Sequence, residues 1–205
     1  GIIAAVTALI VWNVRPMFET FAQALKHVAF QVASIITTTG FSTTNFDQWP
    51  EFSKGLLVAL MFIGACAGST GGGIKVSRFV ILFKTMKKEI QQIIHPRSIK
   101  VIRFEGKPVE HGVLRSINTY FAAYMLIFII SLILICLNNF DLITNFTAVA
   151  ATLNNVGPGL QLVGPTGHFG DFNALSKLVM IFDMLAGRLE LFPLLLLIVP
   201  SSWRK

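Results

Sequence analysis

Residues 119–137 are nineteen consecutive positions without a charged side chain, dominated by Ile, Leu and Phe. The hydrocarbon core of a bilayer takes about 20 apolar residues as a helix, so this run reads as a membrane-crossing helix. The rest of the chain agrees. Charged residues make up 13% of it, against about 25% in a soluble domain, too few to cover the surface of a 205-residue globule. That excludes a soluble enzyme, a disordered tail and a coiled coil.

The net charge of +7 is concentrated. Ten basic residues, Lys75, Arg78, Lys84, Lys87, Lys88, Arg97, Lys100, Arg103, Lys107 and Arg115, face only Glu89, Glu105 and Glu110 in the same stretch. A basic loop between apolar runs marks the cytoplasmic side of a membrane protein. It lacks the motif and the interleaved aromatics of a nucleic-acid surface, so no nucleic-acid partner is expected. Cys66 and Cys136 lie in apolar segments without a CxxC and read as buried thiols. His27, His95, His111 and His168 are scattered, without metal-ligand spacing.

Three further segments approach spanning length. Residues 1–14 read as the end of a helix stopped at Arg15-Pro16. Residues 56–83 are interrupted by glycines. Residues 175–199 hold Lys177, Asp183, Arg188 and Glu190. Two shorter segments, residues 17–36 and 142–153, read as re-entrant helices, tolerated at membrane depth only inside protein or against a wet cavity. The order helix, short helix, glycine loop, helix then occurs twice. Ser53-Lys54 with Ser176-Lys177, Met61 with Met184, and Gly64 with Gly187 share one offset. The basic loop inside places residues 138–141 outside, with Trp49 near the outer interface and Tyr120 and Trp203 near the inner one. Residues 99–109 suggest a small hairpin around Glu105-Gly106. The expected fold class is an all-α membrane protein of two tandem helix–pore-helix–filter–helix repeats. Residues 1–94 form the first unit, 95–116 a cytoplasmic basic loop and 117–205 the second unit.

The chemistry sits in the glycine loops. Thr37, Thr38 and Thr39 precede Gly40 and Phe41. After a re-entrant helix this suits a cation filter, in which carbonyl and hydroxyl oxygens replace an ion's water; the bland reading is a Thr-rich helix cap. Asn155, Val156, Gly157 and Pro158 occupy the matching place in the second unit, where a Gly-Pro turn is the alternative. Asp and Glu51 near the outer ends concentrate cations or form a solvated rim. Gly68, Ser69, Thr70, Gly71, Gly72 and Gly73 fail as a phosphate-binding loop: Ile74 intrudes before Lys75, Val76 replaces the hydroxyl residue, and no strand precedes. No enzyme activity is expected. The run reads as a helix break serving as a gate, or as close packing between helices. Arg188 reads as a cation facing the pore or as half of a buried pair with Asp183 or Glu190.

Together these stretches resemble the Trk/Ktr/HKT superfamily of potassium transporters, and within it the membrane subunit of bacterial Trk potassium uptake. Residues 37–50, 64–78, 154–159 and 183–193 look like that family's third filter, intramembrane gating loop, fourth filter and last-helix Gly-Arg-Leu-Glu motif, in that order. The resemblance implies a four-repeat, potassium-channel-like fold, of which this chain is expected to be the C-terminal half, its first two repeats lying upstream. It implies K⁺ held by backbone carbonyls of Thr38, Thr39, Asn155 and Val156 at the filter glycines Gly40 and Gly157. It places the gating loop at Gly68–Gly73 and Arg188 in the cavity below. It implies potassium uptake through a multi-pass protein of the bacterial inner membrane, in contact with lipid, homodimeric, with no covalent cofactor. Nucleotide is expected only on a cytoplasmic regulatory subunit docked on the basic loop. Sodium-permeable or cation-coupled relatives and a non-conducting scaffold are the competing functions.

Overall fold

The computed structural model describes residues 1–64, 71–95, 101–104 and 106–188. Gly68, Ser69, Thr70, Cys66, Glu105, Glu190 and Trp203 lie outside the described residues. Helix α1 spans Ile2–Val14 and passes into a tight turn at Arg15–Met17. Helix α2, Phe21–Ile36, opens at Thr20, whose side chain accepts the Gln23 amide; a hydroxyl at this position satisfies an amide the helix cannot. Helix α3, Glu51–Phe62, follows the first loop.

The segment read as one interrupted helix over 56–83 is two separate helices. Helix α3 stops at Phe62 and passes into strand β1, Ile63–Gly64. The chain returns as strand β2, Ile74–Lys75, parallel to β1 with Ile63 opposite Ile74. Helix α4, Val76–Ile94, then continues. The close approach depends on glycine: a Cβ at Gly64 would overlap the Gly72 carbonyl oxygen and lie 3.0 Å from the Gly73 carbonyl carbon.

The expected hairpin is present, with β3 at Arg103–Phe104 antiparallel to β4 at Lys107–Pro108 and Gly106 at φ +80° between them. Helix α5 spans His111–Cys136, twenty-six residues. It is the one described helix long and apolar enough to cross a bilayer. It starts eight residues before the uncharged run, because a helix continues past the apolar zone into water. Helix α6, Leu142–Leu153, and helix α7, Ala174–Arg188, complete the described elements.

Asp141 caps α6, its carboxylate accepting the Thr144 amide at 2.9 Å and the Thr144 hydroxyl. Burial raises its pKa, but these donors and neighbouring amides outweigh that and hold it below the usual carboxylate value. Buried serines join helices at matching places. Ser53 on α3 donates to Asn13 Oδ1 at 2.7 Å, and Ser176 on α7 receives the Asn138 amide. Phe62, Phe128 and Phe146 pack with centroids 5.2–6.1 Å apart, joining α3 to α5 and α6.

The interfacial aromatics are placed differently from the sequence expectation. Trp49 is buried edge-on to Phe46, and Tyr120 is buried under the Arg78 guanidinium, 4.1 Å from the ring centre. Trp12, 76% exposed, is the outward-facing tryptophan among the described residues.

Candidate functional site

Helices α2 and α6 end in the same way. The Thr38 amide bonds the Ile35 carbonyl at 3.0 Å and the Thr39 amide bonds Ser34 at 2.9 Å. In the second loop Asn155 bonds Thr152 at 3.0 Å and Val156 bonds Ala151 at 2.9 Å. This is the Schellman pattern, which needs a left-handed residue just past the helix, usually Gly and sometimes Asn. Here that residue is Thr38 at φ +56° and Asn155 at φ +54°. Two residues later come Gly40 at φ +78° and Gly157 at φ +111°. Gly40 and Gly157 therefore each follow a left-handed turn made by a non-glycine residue.

The two loops meet. A Cβ at Gly40 would overlap the Val156 carbonyl oxygen and come to 3.3 Å from Pro158 Cδ. Gly157 lies beside it, its Cβ position 3.7 Å from the Gly40 Cα. The Asp47 carboxylate accepts the Gln161 amide at 3.0 Å, tying the outer parts of both loops together. Asp47 is thus engaged by backbone, and Glu51 pairs with Lys54 at 2.7 Å.

Buried polar side chains not singled out in the sequence hold the loops. Ser34 donates to the Phe41 carbonyl at 2.6 Å, and Gln31 Nε2 donates to the Thr44 carbonyl at 3.2 Å. In the second unit the Leu160 amide donates to the Thr147 hydroxyl at 3.0 Å.

The glycine seam presses on both loops. The Gly72 amide donates to Thr38 Oγ1 at 3.4 Å. A Cβ at Gly72 would overlap the Asn154 carbonyl and lie 3.0 Å from Asn155 Cβ. Gly73 takes φ +75° with the Asn154 side-chain oxygen 3.3 Å from its Cβ position. The Lys75 ammonium donates to the Gly71 carbonyl. Asn154 is in turn fixed by the Tyr124 hydroxyl at 2.9 Å.

A cavity of about 660 Å³ opens beside the loops, lined by Thr38, Thr39, Asn155, Val156 and Gly157 and by Met180 and Met184 of α7. The structure thus brings five of the eight filter candidates to one cavity. Gly40, Phe41 and Pro158 are not in its lining; Gly40 packs against the Val156 carbonyl and Pro158, and Phe41 is exposed. Helix α7 is fastened here too: Asn155 Nδ2 donates to the Met184 carbonyl at 3.0 Å. Arg188 is exposed one helical turn beyond Met184, outside the cavity lining. It does not pair with Asp183. That buried carboxylate accepts the Ser131 hydroxyl at 2.6 Å through Oδ1, and its Oδ2 has no hydrogen-bond partner among the described residues.

Known proteins are similar to this chain. The profile of TrkH, cation transport protein, matches residues 6–205. The chain belongs to the TrkH family. It is 44% identical over 187 residues to the Trk system potassium uptake protein TrkH of Vibrio parahaemolyticus, covering 91% of this chain and 37% of that protein. It is 37% identical over 203 residues to TrkH of Escherichia coli K12, covering 99% of this chain and 41% of that protein. The crystal structure of the potassium transporter TrkH from Vibrio parahaemolyticus superposes with a TM-score of 0.90 at 40% identity, covering 99% of this chain and 43% of that one. The chain therefore has the helical fold of that membrane transporter and spans about two fifths of the length of its curated relatives.

Proposed function

We propose that this chain forms two repeats of a potassium-conducting filter, completed by two further repeats of the same protein. The carrying observation is the pair of short helices with identical Schellman ends, whose left-handed residue and glycine recur 117 residues apart and whose loops meet at Gly40 and Val156. Backbone carbonyls of Thr38, Thr39, Asn155 and Val156 replace the hydration oxygens of K⁺. The names of the relatives, potassium uptake proteins, support K⁺ as the transported ion and a transporter rather than an enzyme. Placement in the inner membrane, a homodimer and a cytoplasmic nucleotide-binding regulatory subunit belong to the same reading.

The glycine seam, in contact with Thr38 and Asn155, is suited to gate conduction, since its movement is felt by both loops. Arg188, one turn inward of Met184, supplies a cationic barrier below them.

The test is K⁺ and Na⁺ flux into proteoliposomes of the full-length protein. Gly157→Ala is informative because the added methyl meets only an ordinary 3.7 Å neighbour, while φ +111° is unfavourable for any side chain. Lost K⁺ flux with only a modest fall in the unfolding midpoint, from the strain at this φ, is expected; wild-type flux would overturn the filter. Deleting residues 71–73 should raise basal flux. Arg188→Ala should raise conductance.

A further inference from the structure

Helix α4 buries one side chain, Ile81, along its nineteen residues. Phe83, Met86, Ile90 and Ile93 are spaced three, four and three residues apart, which puts them on one helical face. All are exposed, Ile93 by 80%. The adjoining face carries Lys84, Lys87 and Lys88. Between that face and Arg103 lies a groove of about 230 Å³, and among the described residues no carboxylate lines it. The Lys84 ammonium donates to the Arg103 carbonyl at 2.8 Å, fastening the hairpin segment to the helix. Lys87, Lys88 and Arg103 thus line the groove next to the apolar stripe.

We propose that α4 and the hairpin form a binding site for an anionic phospholipid of the inner leaflet. The phosphate sits at Lys87, Lys88 and Arg103, and the acyl chains run along Phe83, Met86, Ile90 and Ile93. Charge complementarity selects this occupant. A packed protein core over the stripe would strand three lysines beside it, and a soluble acidic partner would leave the stripe in water. A lipid satisfies both faces, as at other basic, amphipathic membrane-surface helices. The side of the membrane rests on the inside placement of the basic stretch.

The experiment titrates labelled phosphatidylglycerol onto the full-length protein in neutral detergent, so it needs neither flux nor orientation. Saturable binding is expected, displaced by unlabelled phosphatidylglycerol but not by phosphatidylcholine or inorganic phosphate. Lys87→Gln with Lys88→Gln should weaken it about thirtyfold, from roughly 1 kcal/mol for each basic residue near an anionic surface. Ile90→Ser with Ile93→Ser should weaken it as well. Displacement by phosphatidylcholine would mean a general apolar surface, and displacement by phosphate a free-anion site. Undiminished binding in the lysine variant overturns the site. Loss of regulatory-subunit capture in that variant, with lipid binding intact, would make the face a protein dock instead. Lipid binding that persists where the flux test fails would leave this site standing without the filter.

Discussion

The contact between α7 and the end of α6 is close enough to be broken by one methyl group. Gly187 lies in α7, where alanine suits the backbone and is favoured over glycine by about 1 kcal/mol. Its Cβ position, however, overlaps the Leu153 carbonyl oxygen and lies 2.8 Å from the Leu153 carbonyl carbon and 2.9 Å from Asn155 Nδ2. Bringing that carbon to the 3.4 Å where ordinary contact begins requires a shift of at least about 0.6 Å. The oxygen demands more. The same shift stretches the 3.0 Å bond from Asn155 to the Met184 carbonyl to the limit of a hydrogen bond. Overpacking costs about 1–3 kcal/mol and the lost bond about 1 kcal/mol. Set against the helix gain, Gly187→Ala should destabilise by about 1–3 kcal/mol.

Gly55→Ala is the control. It too is helical, and its Cβ position has nothing within 4 Å, so it should stabilise by about 0.5–1 kcal/mol. Unfolding of the full-length protein in mixed micelles, followed by far-UV circular dichroism against denaturing detergent, gives both numbers. The displacement should also lower K⁺ flux in Gly187→Ala while Gly55→Ala conducts normally. A Gly187→Ala protein as stable as Gly55→Ala would refute the close approach of α7 to the second loop.

Two further outcomes follow from the same geometry. Thr38→Gly should stabilise by about 0.5–1 kcal/mol in the same unfolding assay, because a left-handed residue with a side chain costs roughly 1–2 kcal/mol and glycine gives back about half of that in chain entropy; destabilisation would show that the Thr38 hydroxyl outweighs the strain. Ser131→Ala should cost about 1–3 kcal/mol by leaving both Asp183 oxygens without a donor, whereas Ser131→Ala combined with Asp183→Leu should return to near wild type, since removing both polar partners is close to neutral; equal losses in the single and double variants would refute the pairing.

What the sequence made legible depended on whether a boundary is chemical or conformational. Helix α6 runs over the residues read as a short re-entrant helix, because Asp141 caps one end and Asn154 closes the other. Helix α5 extends beyond its apolar run, because hydropathy marks the bilayer and not the backbone. The glycines at 40 and 157 were visible, but the left-handed residues before them were missed. Asn155 had a signal, since asparagine tolerates that conformation. Thr38 had none, because a β-branched residue there is an outlier. The shared offset of 123 linked α3 to α7, whereas the loops recur at 117. The difference of six lies between Gly40 and Glu51 on one side and Gly157 and Ala174 on the other, in surface segments where insertions are tolerated.

That difference also separates what the two helix–loop segments share from what they do not. The outer segments vary in length, yet both short helices end with the same two backbone bonds and the same left-handed residue. A strained residue such as Thr38 persists only where its surroundings over-determine it. Those surroundings are identifiable: two amide bonds back to α2, the Gly72 amide on its hydroxyl, and Ser34 and Gln31 holding the chain that follows at Phe41 and Thr44. The second loop uses different residues for the same purpose, Thr147 at Leu160 and Asn155 itself at Met184. The buried Gln31, Ser34 and Thr147 side chains thus fix backbone and stand outside the cavity lining. Under the proposed filter reading, the carbonyls are set by the scaffold before any ion arrives, and selectivity should respond to substitutions at Gln31, Ser34 and Thr147, which lie outside the cavity lining.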